Sequence, residues 1–362
     1  MTMYTSADIE YMQLALRLAE RGVNTTTPNP RVGCVLVADN KIVGQGWHQH
    51  AGGDHAEVHA LTDAGSLAQG STAYVTLEPC SHHGRTGPCC DALVQAGIAR
   101  VVFAMEDPNP QVSGTGIQRL KDSGIDVAGP LMEDQARELN AGFIKRMESG
   151  LPFVRIKSAM SLDGRTAMAS GESKWITAPA ARDDVQHLRA RSCALVTGVD
   201  SVVHDDPSLT VRLNDGDRQP LRVIVDTHGR CPKRSQIFTK LGRTVIACSE
   251  SAQVVEHDGR EYWRLPEKDG RVCLVSLLRK LADEGCNEIL VETGATLGGA
   301  FVGLGLVDEF IVYIAPKLLG SSARPLFDVP ISTMSGNLPL IIKDIRAVGY
   351  DWRITAIPDP DS

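Results

Sequence analysis

The spacing of apolar positions predicts the first elements. Ile9, Met12, Leu16 and Ala19 recur at helical intervals behind Thr5 to Asp8, which has the form of a capping box, so a helix is predicted up to Gly22. Two apolar runs, 33–37 and 41–47, flank Asp39-Asn40 and predict a β-hairpin. A helix over 56–64, a strand over 72–77, a helix over 89–96 and a strand over 100–104 continue in α/β alternation. A helix over 136–147 ends where Glu148-Ser149-Gly150-Leu151-Pro152 breaks the pattern before a strand over 153–159, which puts a domain boundary between 1–149 and 150–362. Beyond it the runs 194–196, 221–225, 244–247 and 288–291 are apolar without alternation, as strands of a largely parallel sheet covered on both faces are. The stretches 213–219 and 252–270 read as polar loops, and no repeat of fixed period is present.

Composition narrows this α/β picture. A chain of 362 residues with 43% hydrophobic content is long enough for two cores. No apolar run reaches the roughly 18 to 20 residues of a membrane span, and no basic-then-apolar leader opens the chain, so a soluble cytoplasmic protein with no membrane partner is expected. The net charge of -7 disfavours a nucleic-acid surface. Nine cysteines without regular spacing argue for a reducing compartment. Cys34, Cys193, Cys248 and Cys273 lie in apolar runs and read as packing residues, which leaves Cys80, Cys89 and Cys90 to account for.

His55-Ala56-Glu57, Pro79-Cys80 and Cys89 fall at predicted element ends, where a scaffold can hold side chains rigidly. One imidazole and two thiolates suit Zn²⁺, leaving a fourth tetrahedral position for a water whose pKa the metal lowers, with Glu57 moving the protons. His-x-Glu with Pro-Cys is the mark of zinc deaminases acting on cytosine or adenine, although the usual two-residue spacing between cysteines is here eight, Ser81 to Pro88. Cys90 is an alternative ligand; Pro88 favours a helix opening at Cys89, whose dipole stabilises a thiolate. His82 and His83 read as loop or substrate contacts. A rival pair, His55 and His59, lacks the glutamate that a metalloprotease places directly after the first histidine.

The second half has neither a Gly-x-Gly-x-x-Gly fingerprint nor a P-loop. Glu292-Thr293-Gly294-Ala295-Thr296-Leu297-Gly298-Gly299-Ala300 follows an apolar strand instead, where small residues let backbone amides approach a pyrophosphate; close helix packing explains the glycines equally well.

With Pro28-Asn29-Pro30, the run Thr76 to Thr86, Asp107-Pro108-Asn109-Pro110, Ser161-Leu162-Asp163-Gly164 and Asp205-Asp206-Pro207 added, the chain resembles the bifunctional riboflavin-biosynthesis enzymes that join a pyrimidine deaminase to a 5-amino-6-(5-phosphoribosylamino)uracil reductase. The resemblance implies a cytidine-deaminase-like first domain with His55, Cys80 and Cys89 on zinc and Glu57 as proton shuttle. Its substrate would be a 2,5-diamino-6-ribosylamino-pyrimidinone 5′-phosphate, with Asn29, His48 and Arg85 touching base and phosphate. It further implies a dihydrofolate-reductase-like second domain that uses NADPH to reduce the ribosyl group to ribityl. Cofactor contacts carried over are Ala159, Trp175, Ser201, Asp205, Thr227, Gly294, Ala295, Thr296, Leu297, Gly298, Gly299 and Ala300. Substrate contacts are Ser173, Arg189, Leu209, Arg212 and Glu292.

Arg189 and Arg212 offer bidentate partners for a phosphate, and Lys157 adds a point charge. Trp175 also reads as a core residue, and Asp205-Asp206-Pro207 as a turn. A homo-oligomer acting on a small phosphorylated pyrimidine is the expected assembly. Two other readings stand beside this one: a nucleic-acid base deaminase with an unrelated appended domain, and a monofunctional reductase with a structural zinc module. The second lacks an obvious fourth ligand.

Overall fold

A computed structural model describes residues 4–81, 87–109, 113–214, 218–254 and 259–361. The chain forms two compact units, Met1–Gly150 and Leu151–Ser362.

In the first unit, α1 (Ser6–Glu20) starts with the predicted capping box, Thr5 accepting from the Asp8 amide and Asp8 accepting from Thr5. Met12, Leu16 and Ala19 are buried as expected, whereas Ile9 is exposed. The hairpin β1 (Gly33–Ala38) and β2 (Lys41–Trp47) joins β3 (Thr72–Val75), β4 (Arg100–Phe103) and β5 (Asp126–Ala128) in a sheet of order β2-β1-β3-β4-β5. The hairpin and the β1–β3 pair are antiparallel, while β3–β4 and β4–β5 are parallel. Helix α2 (Ala56–Ala64) lies directly on β2 because both faces are pared to a minimum. A Cβ on Gly44 or Gly46 would stand 2.3 Å from the carbonyl oxygens of Ala60 and Ala56. That close seat fixes His55 and Glu57 at the start of α2.

The helices α3 (Cys89–Gln95), α4 (Thr115–Asp122), α5 (Glu133–Leu139) and α6 (Ala141–Ser149) complete the unit. The single helix predicted over 136–147 is two, because buried Asn140 turns its side chain onto the backbone of Arg31, accepting from its N–H and donating to its carbonyl. A side chain that bonds backbone elsewhere competes with helix continuity at its own position.

The second unit contains β6 (Phe153–Ser161), β7 (Arg165–Ala167), α7 (Pro179–Arg191), β8 (Ala194–Gly198), α8 (Val199–Asp205), β9 (Leu221–Val225), β10 (Thr244–Ser249) and β11 (Glu261–Leu265). After these come β12 (Glu267–Lys268), β13 (Arg271–Val272), α9 (Leu274–Asp283), β14 (Glu288–Glu292), α10 (Ala295–Gly303), β15 (Glu309–Ala315), β16 (Arg324–Pro325), β17 (Leu340–Val348) and β18 (Asp351–Pro358). The nine-stranded sheet runs β11-β10-β9-β8-β14-β6-β15-β18-β17. Its first seven strands are parallel, as the unalternating apolar runs predict, and β18–β17 closes the edge as an antiparallel hairpin.

In this unit two further features differ from the sequence expectation. Part of the supposed polar loop over 252–270 is the edge strand β11, with Trp263 and Leu265 buried. Of the four packing cysteines, Cys273 is only half-buried at the start of α9. Strands β8 and β14 are neighbours, and each runs straight into a helix, so their carboxyl ends open the crevice that α/β sheets use for ligands. Among the described residues no helix is long and apolar enough to cross a membrane.

Candidate functional site

Three element ends converge in the first unit. His55 is the N-cap of α2, Cys80 follows β3 through Pro79, and Cys89 opens α3 after Pro88. Their donor atoms lie within 4.8 Å of one another. His55 Nδ1 stands 3.1 Å from Cys89 Sγ and 3.6 Å from Cys80 Sγ. Zn–S bonds of about 2.3 Å and Zn–N bonds of about 2.0 Å at the tetrahedral angle put N and S about 3.5 Å apart, so this soft donor set fits zinc. Cys90 points elsewhere, its thiol bonded to the carbonyls of Pro79 and Gly116.

The electrostatics are those of a site that shares protons. Hydrogen bonding from Cys89 holds the Cys80 thiol well below its ordinary range, aided by His55 and by the Cys89 N–H, which donates to its sulfur at 3.3 Å. The bond to Cys80 also lifts His55 to about 9, and the Cys89 thiol is pushed up by that contact and by burial. Glu57, buried in the first turn of α2 and bonded to the Cys89 thiol, is raised by burial to about 7.

His48 adjoins this trio, its ring meeting that of His55 edge-on at 5.4 Å. Its Nδ1–H donates to the Asp54 carbonyl at 2.9 Å, and its Nε2 accepts from the Asn29 amide at 3.0 Å. Burial lowers its pKa, so the ring is neutral. Asn29 and His48 are thus brought to the site as a pair. Arg85, with His82 and His83, lies outside the described residues.

The second unit holds a cleft of about 690 Å³ at the carboxyl ends of β6, β8 and β14. It gathers Lys157, Ala159, Ser173, Trp175, Arg189 and Ser201, and with them Asp205, Leu209, Arg212, Glu292 and the segment Gly294 to Leu297. Thr227 does not line it; its hydroxyl accepts from the Val272 amide. Gly298, Gly299 and Ala300 also lie outside the lining.

The glycine segment therefore serves two purposes. A Cβ on Gly294 would meet nothing within 4 Å, so that glycine, the N-cap of α10, leaves the helix amides open to the cleft. A Cβ on Gly298 would press on Phe327 at 3.1 Å, and one on Gly299 would meet the Asp328 carbonyl at 2.2 Å. Helix packing explains these two.

Arg189 differs from its expected role as a free phosphate partner. Its Nε and Nη2 donate to both oxygens of Glu292, at 2.6 and 3.0 Å, and its Nη1 donates to the Thr210 carbonyl. Burial works against the Glu292 carboxylate, yet Arg189, Lys157 and Arg212 together hold it below the ordinary range. Lys157 Nζ lies 3.9 Å from the same carboxylate, and its own pKa is lowered by burial. Arg212 is exposed and, among the described residues, its guanidinium bonds the hydroxyls of Ser208 and Thr210, which leaves it the cation best presented to an anionic group.

Trp175 is 65% exposed at the cleft mouth, against the core reading, with the Arg182 guanidinium 4.6 Å from its ring centre. Asp205 accepts from the Ser173 hydroxyl, and Asp206 ends α8 in the left-handed region, so the Asp-Asp-Pro segment is both a helix stop and part of the cleft. The Ser161 to Gly164 motif is a turn: Asp163 accepts the amides of Leu319 and Gly320. Sequence reasoning missed Glu78, which accepts backbone amides from around α4, because its partners are remote in sequence.

A hydrolytic metal centre of the cytidine-deaminase type and a parallel-sheet reductase cleft on one chain define a fused deaminase–reductase. Residues 5–105 match the cytidine and deoxycytidylate deaminase zinc-binding region, and residues 152–354 match the RibD C-terminal domain. The riboflavin biosynthesis protein RibD of Escherichia coli is 52% identical over 363 residues, covering 95% of this chain and 97% of that protein. RibD of Acinetobacter baumannii superposes with a TM-score of 0.90 at 45% identity, covering 98% of this chain and 99% of that one. The diaminohydroxyphosphoribosylaminopyrimidine deaminase/5-amino-6-(5-phosphoribosylamino)uracil reductase of Thermotoga maritima superposes at 0.89 with 32% identity, at the same coverage.

The chain belongs to the RibD family, the bifunctional deaminase/reductases of riboflavin biosynthesis. Zinc serves the first activity and NADPH the second. Relatedness across both halves removes the readings of an unrelated appended domain and of a monofunctional reductase.

Proposed function

We propose that His55, Cys80 and Cys89 hold the zinc and that Glu57 moves the protons in the removal of ammonia from 2,5-diamino-6-(5-phosphoribosylamino)pyrimidin-4(3H)-one. The convergence of the three donor atoms beside a buried glutamate carries this reading. When bound, the metal supplies Lewis acidity that makes water a nucleophile near neutral pH. Glu57 takes the proton of the attacking water and passes it to the departing amine, so that water is consumed and ammonia released. The Asn29–His48 pair orients the substrate beside the trio.

In the second unit the product is reduced at the sugar carbon attached to nitrogen. NADPH, when bound, supplies the hydride. The open amides at the α10 N-terminus, with Ala159, Trp175, Ser201 and Asp205 of the cleft lining, would hold it. Glu292, ionised and clamped by Arg189, accepts from sugar hydroxyls, Lys157 gives a proton to the ring oxygen as the bond between that oxygen and the reduced carbon breaks, and Arg212 meets the 5′-phosphate.

Glu57→Gln tests the first assignment: deamination is expected to fall by about 10²- to 10⁴-fold with zinc content and NADPH oxidation retained. Undiminished ammonia release in that variant would refute the role.

The assembly we infer is a homo-oligomer formed through the β17–β18 edge, where Leu340, Ile341, Ile342, Ile345 and Trp352 are exposed together. Sedimentation of Ile342→Glu should show smaller particles than the parent, and identical particles would contradict this edge. Nine free cysteines support a cytoplasmic location.

A further inference from the structure

Glu78 is a buried carboxylate that the chemistry above does not use. Its Oε2 accepts the amides of Asp107 and Gly114 at 3.2 and 3.0 Å, and its Oε1 those of Gly116 and Ile117 at 2.9 and 3.2 Å. Gly116 and Ile117 belong to the first turn of α4, whose own N-cap, Gly114, has no side chain to offer. The cap of this helix therefore comes from another strand end, where a negative charge also suits the helix dipole.

Glu78 stands two residues before Cys80, and the segment between them is gripped from both sides. A Cβ on Gly116 would lie 2.0 Å from the Pro79 carbonyl oxygen, so α4 sits directly on that peptide. Cys90 Sγ bonds the same carbonyl at 3.2 Å, and the Cys90 amide donates to the Cys80 carbonyl at 3.2 Å. Beyond Cys80, the hydroxyls of Ser81 and Thr115 are 2.7 Å apart.

We propose that Glu78 is a positioning residue for Cys80: by capping α4 across the fold it sets where that sulfur stands toward His55 and Cys89, and thereby how firmly the site holds its metal. The proposal rests on the reading of the trio as zinc ligands. Metal distances tolerate about 0.2 Å of error, so a loosened ligand segment costs affinity even while the fold persists.

The test uses the full chain and reads zinc release to a colorimetric chelator together with the visible spectrum of cobalt-substituted protein. Glu78→Gln keeps the shape but replaces one acceptor oxygen by a donor facing two amides. Zinc release should accelerate by about 10- to 100-fold, the usual effect of losing a supporting partner, and the cobalt–thiolate band should change. Asp8→Asn is the control. That buried carboxylate accepts the Thr5 amide at the start of α1 and bonds Tyr74 and Arg100 in the same unit, so its loss should lower the melting temperature without altering zinc release or the cobalt spectrum.

Should Glu78→Gln fail to fold, Thr115→Val removes the milder bond to Ser81 and should accelerate release by about threefold. An unmoved release rate and spectrum in folded Glu78→Gln, or in Thr115→Val, would overturn the proposal, as would equal acceleration in Asp8→Asn. A zinc-bearing parent with these results sinks this proposal alone; a parent that binds no zinc sinks the ligand assignment with it.

Discussion

The metal centre and the reductase cleft place their charged groups by opposite means. In the first, His55, Cys80 and Cys89 turn toward one another from three element ends, and what binds them is the shared aim of their donor atoms at one point. In the second, Arg189, Lys157 and Glu292 already satisfy one another, and a ligand meets a finished network. The lesson is that the two sites should fail differently. On the assignments proposed above, the metal centre should lose chemistry when a donor or Glu78 goes, with little cost to the rest. The cleft loses stability and chemistry together, because its ion pair holds strand end to helix.

Arg189→Met is the most severe way to probe that contrast. Removing one partner of a largely buried pair costs about 3–5 kcal/mol, so the variant should melt earlier and lose reductase activity by more than about a hundredfold, without loss of zinc. Calorimetry and NADPH oxidation together check it, and a merely raised substrate KM at unchanged stability would return Arg189 to the role of phosphate receptor.

The same pair makes a pH prediction. Glu292 is held below the ordinary glutamate value, so the stabilisation it brings is full above about pH 4.3 and is lost as pH falls through its lowered folded value. In Arg189→Met burial dominates, and the acidic limb of reductase activity should move upward. Trp175→Ala is the gentlest probe: this exposed ring stacks with Arg182 and carries little of the fold, so KM for NADPH should rise roughly five- to tenfold with stability unchanged. A large drop in melting temperature would break the distinction.

The same difference governs what could be read from the chain. The trio proposed as metal ligands could be picked out because its members sit beside local punctuation: Cys80 directly follows Pro79, Cys89 directly follows Pro88, and His55 and Glu57 are two residues apart. The parallel sheet was legible from unalternating strands. The cofactor and substrate contacts proposed for the cleft came from family resemblance, and the pairing among them did not: Arg189 and Glu292 meet across 103 positions, and an arginine's partner is a tertiary fact. Glu78 was silent for the same reason, its donors lying 29 to 39 residues onward. The break at Asn140 depends on Arg31, 109 residues earlier, and no local propensity reports it.

One chain thus carries two independently built sites, one hydrolytic and one reducing. The most direct test of that independence strips the zinc with a chelator and follows two readouts in the same preparation, ammonia release from the diaminopyrimidine phosphate and NADPH oxidation with the already deaminated compound. Ammonia release should vanish and return on adding zinc, while NADPH oxidation stays unchanged throughout. Parallel loss of both activities, or ammonia release that survives complete zinc removal, would contradict it.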